Sequence, residues 1–287
     1  QENWNMGKYK KILVAFDGSE SSKNALLQAF RLANDEGCWI TVASVIPPYE
    51  GEMELVGVKD IRAALRKPCD DALAEAEKIA KAEKALIKAV CEEGEIYKKI
   101  VDLAEAENCD LIVMGRKGRH RIERALVGSV TARVIGHSRK DVLVVPDKTA
   151  IGWKTILLAT DGSIYSKAAA DKAIDLAKFY GGKLKVVSGV DVPSEFYAEA
   201  PDAVEDLTKK AEGFVVNVKE KAEAFGIATA TYIREGEAYK VIADLARNER
   251  ADVIFMGSHG RTGLKKLLMG SVAERVIGHA PCPVLVV

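Results

Sequence analysis

Two glycine-bearing stretches carry the clearest chemistry in the sequence. Gly257-Ser258-His259-Gly260-Arg261-Thr262-Gly263-Leu264 is closed, nine residues on from Gly260, by Gly270-Ser271. Gly115-Arg116-Lys117-Gly118 leads with the same interval to Gly128-Ser129. Each follows an apolar run, Asp252 to Met256 or Asp110 to Met114, that reads as a buried strand, and each precedes residues with helical spacing. Strand, glycine loop and helix start together offer free backbone N–H groups and the positive end of a helix dipole to a phosphate. Glycines suit such a loop because a side chain would block an anion or forbid the backbone angles required. The pattern is neither the GxxxxGK[ST] phosphate loop nor the GxGxxG dinucleotide fingerprint. The grip therefore falls to backbone N–H groups and the hydroxyls of Ser129 and Ser271, with a divalent metal as companion to any polyphosphate. Arg119 and Arg261 follow the second glycine of each loop, where they reach either phosphate or solvent.

A second recurring element is Asp17-Gly18-Ser19, matched by Asp161-Gly162-Ser163. An Asp after a first strand and beside a glycine loop suits a ribose or base as hydrogen-bond acceptor. The plainer role for such a residue is a helix N-cap. His137 and His279 sit near the ends of apolar helices, where a structural hydrogen bond suits them. His120 and His259 lie in or beside the loops, but no Ser-His-Asp arrangement or paired carboxylates accompany them, so no catalytic residue is assigned. Five cysteines (Cys38, Cys69, Cys91, Cys109 and Cys282) are scattered without a CxxC. Reduced thiols are the expectation, and no metal ligand is assigned.

The elements that must hold these residues read in order as strand 11–16, helix 23–34, strand 39–46, a mobile loop or lid 49–58, and a helix 61–81 interrupted or delayed by Pro68. Strand 86–91, helix 95–107, strand 110–114, the glycine loop, helix 128–137 and strand 142–145 follow. The remainder replays this series. Asp161-Gly162-Ser163 comes 144 residues after Asp17-Gly18-Ser19, and Gly236, Glu237 and Tyr239 come 142 after Gly94, Glu95 and Tyr97. Val134-Ile135-Gly136-His137 returns as Val276-Ile277-Gly278-His279. A duplicated domain follows, 1–147 and 148–287, each with a parallel sheet covered by helices on both faces. Ligands of such sheets sit at the carboxyl ends of the strands, where the strand order reverses. Asp17 and the Gly115 loop share that edge, as do Asp161 and the Gly257 loop.

Composition removes several classes of function. Lys plus Arg and Asp plus Glu number 42 each in 287 residues, so no global field draws the chain to nucleic acid or an anionic membrane. No apolar run approaches the ~18 residues of a membrane span. Residues 1–11 lack the basic end and apolar core of a signal peptide, so a cytoplasmic location is expected.

The G-x2-G-x9-G-[ST] spacing, the Asp-Gly-Ser after the first strand and the closing Pro-Val-Leu-Val-Val strand resemble the universal stress protein family, in both halves. The resemblance implies a tandem member with two Rossmann-like domains of the HUP type, each a five-stranded, mainly parallel sheet. It implies binding of ATP or another adenine nucleotide, with Mg2+ or Mn2+, by members carrying the glycine motif. Carried over, Asp17 and the backbone of Val45 meet adenine and ribose, and Gly115, Gly118, Arg119, Gly128, Ser129 and Val130 surround the phosphates. The second set is Asp161 and the backbone of Gly189, with Gly257, Gly260, Arg261, Gly270, Ser271 and Val272. The first loop departs from the family pattern at Arg121, which stands where the second has Gly263, and Arg116, Lys117, His120 and Arg124 crowd it with charge. The resemblance also implies that segments 142–145 and 284–287 pair across the two domains as an intramolecular pseudo-dimer, with further homodimerisation open. The functional expectation is a nucleotide-responsive regulator in stress adaptation with at most slow ATP hydrolysis. A nucleotidyl- or phosphotransferase and a nucleotide-free scaffold are the alternatives.

Overall fold

The computed structural model describes residues 8–48, 61–118, 126–193, 195–260 and 269–287. Two compact units, Gln1–Lys148 and Thr149–Val287, divide the chain. The first runs β1 (Lys11–Ala15), α1 (Glu20–Glu36), β2 (Trp39–Ile46), α2 (Ile61–Ala82), β3 (Ile87–Glu93), α3 (Ile96–Ala106), β4 (Leu111–Gly115), α4 (Ser129–His137) and β5 (Asp141–Val145). The second runs β6 (Thr155–Ala159), α5 (Ile164–Tyr180), β7 (Lys183–Val190), α6 (Phe196–Glu199), α7 (Pro201–Glu223), β8 (Thr229–Glu235), α8 (Ala238–Asn248), β9 (Val253–Met256), α9 (Ser271–His279) and β10 (Val284–Val286).

Within the first unit the strand order is β3-β2-β1-β4-β5, and within the second β8-β7-β6-β9-β10. Every strand pair inside each unit is parallel. This is the doubly wound order in which the chain builds outward from a central strand, then returns to build the other way. The central strands are near-continuous apolar runs because helices cover both faces. Ile12, Leu13, Val14, Ile112 and Val113 are fully buried, as are Ile156, Leu157, Leu158, Ile254 and Phe255. Each such side chain contributes roughly 1.5–3 kcal/mol relative to exposure.

The first helix of each unit begins earlier than its apolar spacing suggests, because a serine caps it. Ser19 accepts from the Ser22 N–H, and Ser163 accepts from the Ser166 N–H. Both helices end on a left-handed glycine, Gly37 or Gly181. Pro68 does not interrupt or delay α2; it lies inside a continuous helix. The expected lid, 49–58, lies outside the described residues.

Candidate functional site

The strand order reverses between β1 and β4 in the first unit and between β6 and β9 in the second, opening a crevice at the strands' carboxyl ends. A cavity of about 560 Å³ occupies that place in the first unit, and one of about 450 Å³ in the second. Both volumes suit a small organic ligand, for which roughly 300–1,000 Å³ is usual.

Asp17, Val45, Gly115, Gly118, Gly128, Ser129 and Val130 line the first cavity. Asp161, Gly189, Gly257, Gly260, Gly270, Ser271 and Val272 line the second. The fold thus gathers residues from four separate segments of each unit at one edge. Arg119 and Arg261 lie outside the described residues, as do His120, Arg121, Arg124 and Gly263.

The two aspartates are not the helix caps, since that position belongs to Ser19 and Ser163. Asp17 Oδ1 instead accepts from the Ser19 N–H at 3.0 Å, and Asp161 Oδ1 from the Ser163 N–H at 3.0 Å. This short turn passes through Gly18 and Gly162, whose φ of 77° and 78° other residues rarely adopt. It fixes each carboxylate at the mouth of the crevice.

The loop glycines answer to crowding rather than to backbone angle, since none of the six has a left-handed φ. A Cβ on Gly118 would lie 2.7 Å from Asp17 Oδ2, and one on Gly260 would lie 3.0 Å from Asp161 Oδ2. A Cβ on Gly115 would meet Ser21 Oγ at 2.5 Å, and one on Gly257 would meet Tyr165 Cβ at 2.6 Å. Only glycine lets the β4 and β9 ends pass this close to the first helix and the aspartate. The Gly128 N–H donates to the Arg116 carbonyl and the Gly270 N–H to the Ser258 carbonyl, bringing each loop's two ends together.

Helices α4 and α9 start at these closing glycines, and among the described residues no side chain caps either start. The first-turn N–H groups carry the dipole's partial positive charge, which favours an anion over a cation at that edge. An acceptor carboxylate thus lines each cavity together with an uncapped helix start.

Several lining residues carry no sequence signal of their own. Ile96 and Ile100 of α3 enter the first cavity, and Ala238 and Ile242 of α8 the second. The recurrence of Gly94-Glu95-x-Tyr97 at Gly236 marks these helix starts. Tyr97 packs on His137 with ring centroids 4.7 Å apart, and Tyr239 on His279 at 5.0 Å. Each histidine Nδ1 also meets a carbonyl one turn back, Arg133 O at 2.8 Å or Arg275 O at 2.7 Å. These two histidines therefore brace helix ends, as their sequence positions suggest.

The cavities differ in detail. Phe16, Val45 and Lys117 face the first where Thr160, Gly189 and His259 face the second. Leu65, Pro68 and Cys69 of α2 wall the first, whereas no α7 residue lines the second among the described residues. The expectation that all cysteines are reduced is corrected here: Cys69 and Cys91 form a disulfide, with Cα atoms 6.2 Å apart. Cys109 and Cys282 are buried free thiols, and burial pushes them up to about 11 and about 12. Among the described residues no helix is long and apolar enough to cross a membrane.

Fold and crevice together define a doubly wound α/β unit with a glycine-bearing segment at its reversal point, built twice in one chain. Comparison with known proteins gives this class its family. The universal stress protein family matches residues 8–146 and again 152–287. A universal stress protein of Methanocaldococcus jannaschii is 40% identical over 139 residues, covering 47% of this chain and 82% of its own. One from Thermus aquaticus is 33% identical over 141 residues, covering 47% of this chain and 98% of its own. The crystal structure of a universal stress protein from Archaeoglobus fulgidus superposes with a TM-score of 0.73 at 22% identity, covering 98% of this chain and 96% of that one. The chain belongs to the universal stress protein family, with two tandem copies of its domain.

Proposed function

We propose that each unit binds an adenine nucleotide, ATP in the first instance, and that the chain acts as a nucleotide-responsive regulator in stress adaptation. The observation that carries this reading is the same convergence built twice. In each unit a turn-fixed aspartate, a glycine loop whose first two glycines leave little room for a Cβ and an uncapped helix start line one cavity. The aspartate accepts from ribose or base, while the N–H groups of residues 129–130 and 271–272 and the two serine hydroxyls hold phosphate oxygens. Among the described residues no group of three or more His, Cys, Asp or Glu side chains is gathered to hold a metal. Mg2+ or Mn2+ would accompany the polyphosphate and offset part of its charge.

Among the described residues the cavity linings contain no carboxylate paired with a nucleophile, and the reading is therefore of slow turnover of bound ATP at most. A second reading, a phosphotransferase, draws on His259, whose Nδ1 lies 3.2 Å from Ser258 Oγ beside the second cavity. Rapid metal-dependent consumption of ATP, lost in His259→Ala, would favour it.

The test is to denature the purified chain, identify released nucleotides by mass spectrometry, and titrate ATP calorimetrically with magnesium or manganese. Gly118→Val should abolish one site and Gly260→Val the other, because each new side chain displaces an aspartate from its loop. No nucleotide and no heat from folded wild-type protein would overturn the reading and leave a nucleotide-free scaffold.

A further inference from the structure

The Cys69–Cys91 disulfide has no role in the chemistry above, yet it sits on the first cavity. Cys69, itself 3% exposed, lines that cavity beside Leu65 and Pro68 on α2. Cys91 lies half-buried on β3, the outer strand next to β2. It registers with Ser44, the residue before Val45, which faces the same cavity. The bond thus ties the helical wall to the strand ladder that carries the base end of the site.

That wall has a built-in weakness. Pro68 lies inside α2 and offers no N–H to the turn before it, so one bond of the helix ladder is missing next to Cys69. A helix stripped of a ladder bond depends more on tertiary ties, and the disulfide is a covalent one.

The second unit provides an internal control. Buried positions Cys69, Leu73, Ala76 and Ala80 of α2 recur at the same spacing as Ala211, Val215, Val218 and Ala222 of α7. The register Ser44–Cys91 recurs as Ser188–Ile233. Alanine and isoleucine therefore stand where the two cysteines would be, and the second unit has no such tie.

We propose that the Cys69–Cys91 disulfide is a redox-sensitive fastener of the first cavity, so that its reduction loosens the α2 wall and weakens nucleotide retention in the first unit alone. The nucleotide half of this rests on the reading under Proposed function. The reductant is a dithiol. One thiolate attacks the sulfur of Cys91, the less buried residue of the pair, expelling Cys69 as thiolate, which takes up a proton. The second thiol then attacks its own sulfur in the mixed disulfide, releasing Cys91 and leaving the reductant as a cyclic disulfide. Two electrons pass to the protein, and two cysteine thiols replace one S–S bond.

The experiment uses the full chain, oxidised or treated with dithiothreitol, together with Cys91→Ser. Alkylation after denaturation without reductant should label three of the five cysteines, and five after reduction. Amide exchange across residues 64–73 should quicken on reduction while 206–215 stays unchanged. ATP titration should show affinity falling at one site by about fivefold or more, the lower range of coupling between sites. Cys91→Ser should show the weakened site with or without dithiothreitol. Five labelled cysteines before reduction, or equal exchange in both states, overturns the fastener and leaves the nucleotide reading standing. Reductant-sensitive exchange with no ATP heat in either state overturns the nucleotide reading and upholds the fastener. Faster exchange with unchanged affinity at both sites overturns the coupling between them.

Discussion

At the scale of single residues, the first turn of each unit separates two roles that the sequence leaves entangled. Asp17 and Ser19 are two positions apart and both line the cavity, yet only Ser19 caps α1. Ser19→Ala should therefore cost about 1 kcal/mol of stability, read by urea denaturation, with a small effect on ATP affinity. Asp17→Ala should do the reverse: a lost charged hydrogen bond, about 1.5–3 kcal/mol, weakens binding at one site by roughly tenfold to a hundredfold. Equal affinity of Asp17→Ala and wild type for ATP would count against a nucleotide contact at Asp17. The glycine spacing and the repeated Asp-Gly-Ser were legible because both are local in sequence, and each carries its steric reason with it. Cys69 and Cys91 were not legible. They lie 22 residues apart on a helix and an outer strand, and it is the packing of α2 on β3 that brings them together.

At the scale of elements, helices and strands followed from apolar periodicity, but their ends did not. Helix α1 starts at Glu20 because the Ser19 cap satisfies its first turn, a gain that hydrophobic spacing does not record. Helix α2 passes through Pro68 because Cys69, Ala72, Leu73, Ala76 and Ala80 bury one continuous face that outweighs the missing bond. Strands on the β3 and β8 sides of the two sheets also carry polar ties to neighbouring elements. Glu107 after α3 pairs with Lys88 on β3 at 2.5 Å, and Glu249 after α8 pairs with Lys185 on β7 at 3.0 Å. Hydrogen bonds from Lys185 and then Tyr232 hold the Glu249 carboxyl below the usual carboxylate range. A group lowered in the folded state stabilises above its unfolded pKa, and that contribution disappears as pH falls through its folded one. Glu249→Gln should accordingly be less stable than wild type at pH 7 by about 0.5–1 kcal/mol, with the gap closing below roughly pH 4. Urea melts at pH 7 and pH 3 read this directly, and a gap that widens on acidification would refute the assignment.

At the scale of the whole molecule, duplication lets one chain carry two comparable and unequal halves. The disulfide closes a loop of 22 residues in sequence in one half only. Constraining an unfolded loop of that length is worth about 3 kcal/mol in the chain-entropy account. Dithiothreitol should therefore lower the urea midpoint of the transition belonging to Gln1–Lys148, while the one belonging to Thr149–Val287 holds its place. Probes are at hand in the second half, where Trp153 stacks on Tyr180 at 4.8 Å.

The unequal cavities, about 560 Å³ with Val45 and about 450 Å³ with Gly189, bear on how such a chain reports. Two identical receptors would fill together over about a hundredfold span of ligand. Receptors whose affinities differ tenfold fill in sequence over about a thousandfold, each factor of ten corresponding to 1.4 kcal/mol. A chain of that kind has empty, singly filled and doubly filled forms, always in one-to-one supply of its halves. It would register the concentration of its ligand as a graded scale rather than as a threshold.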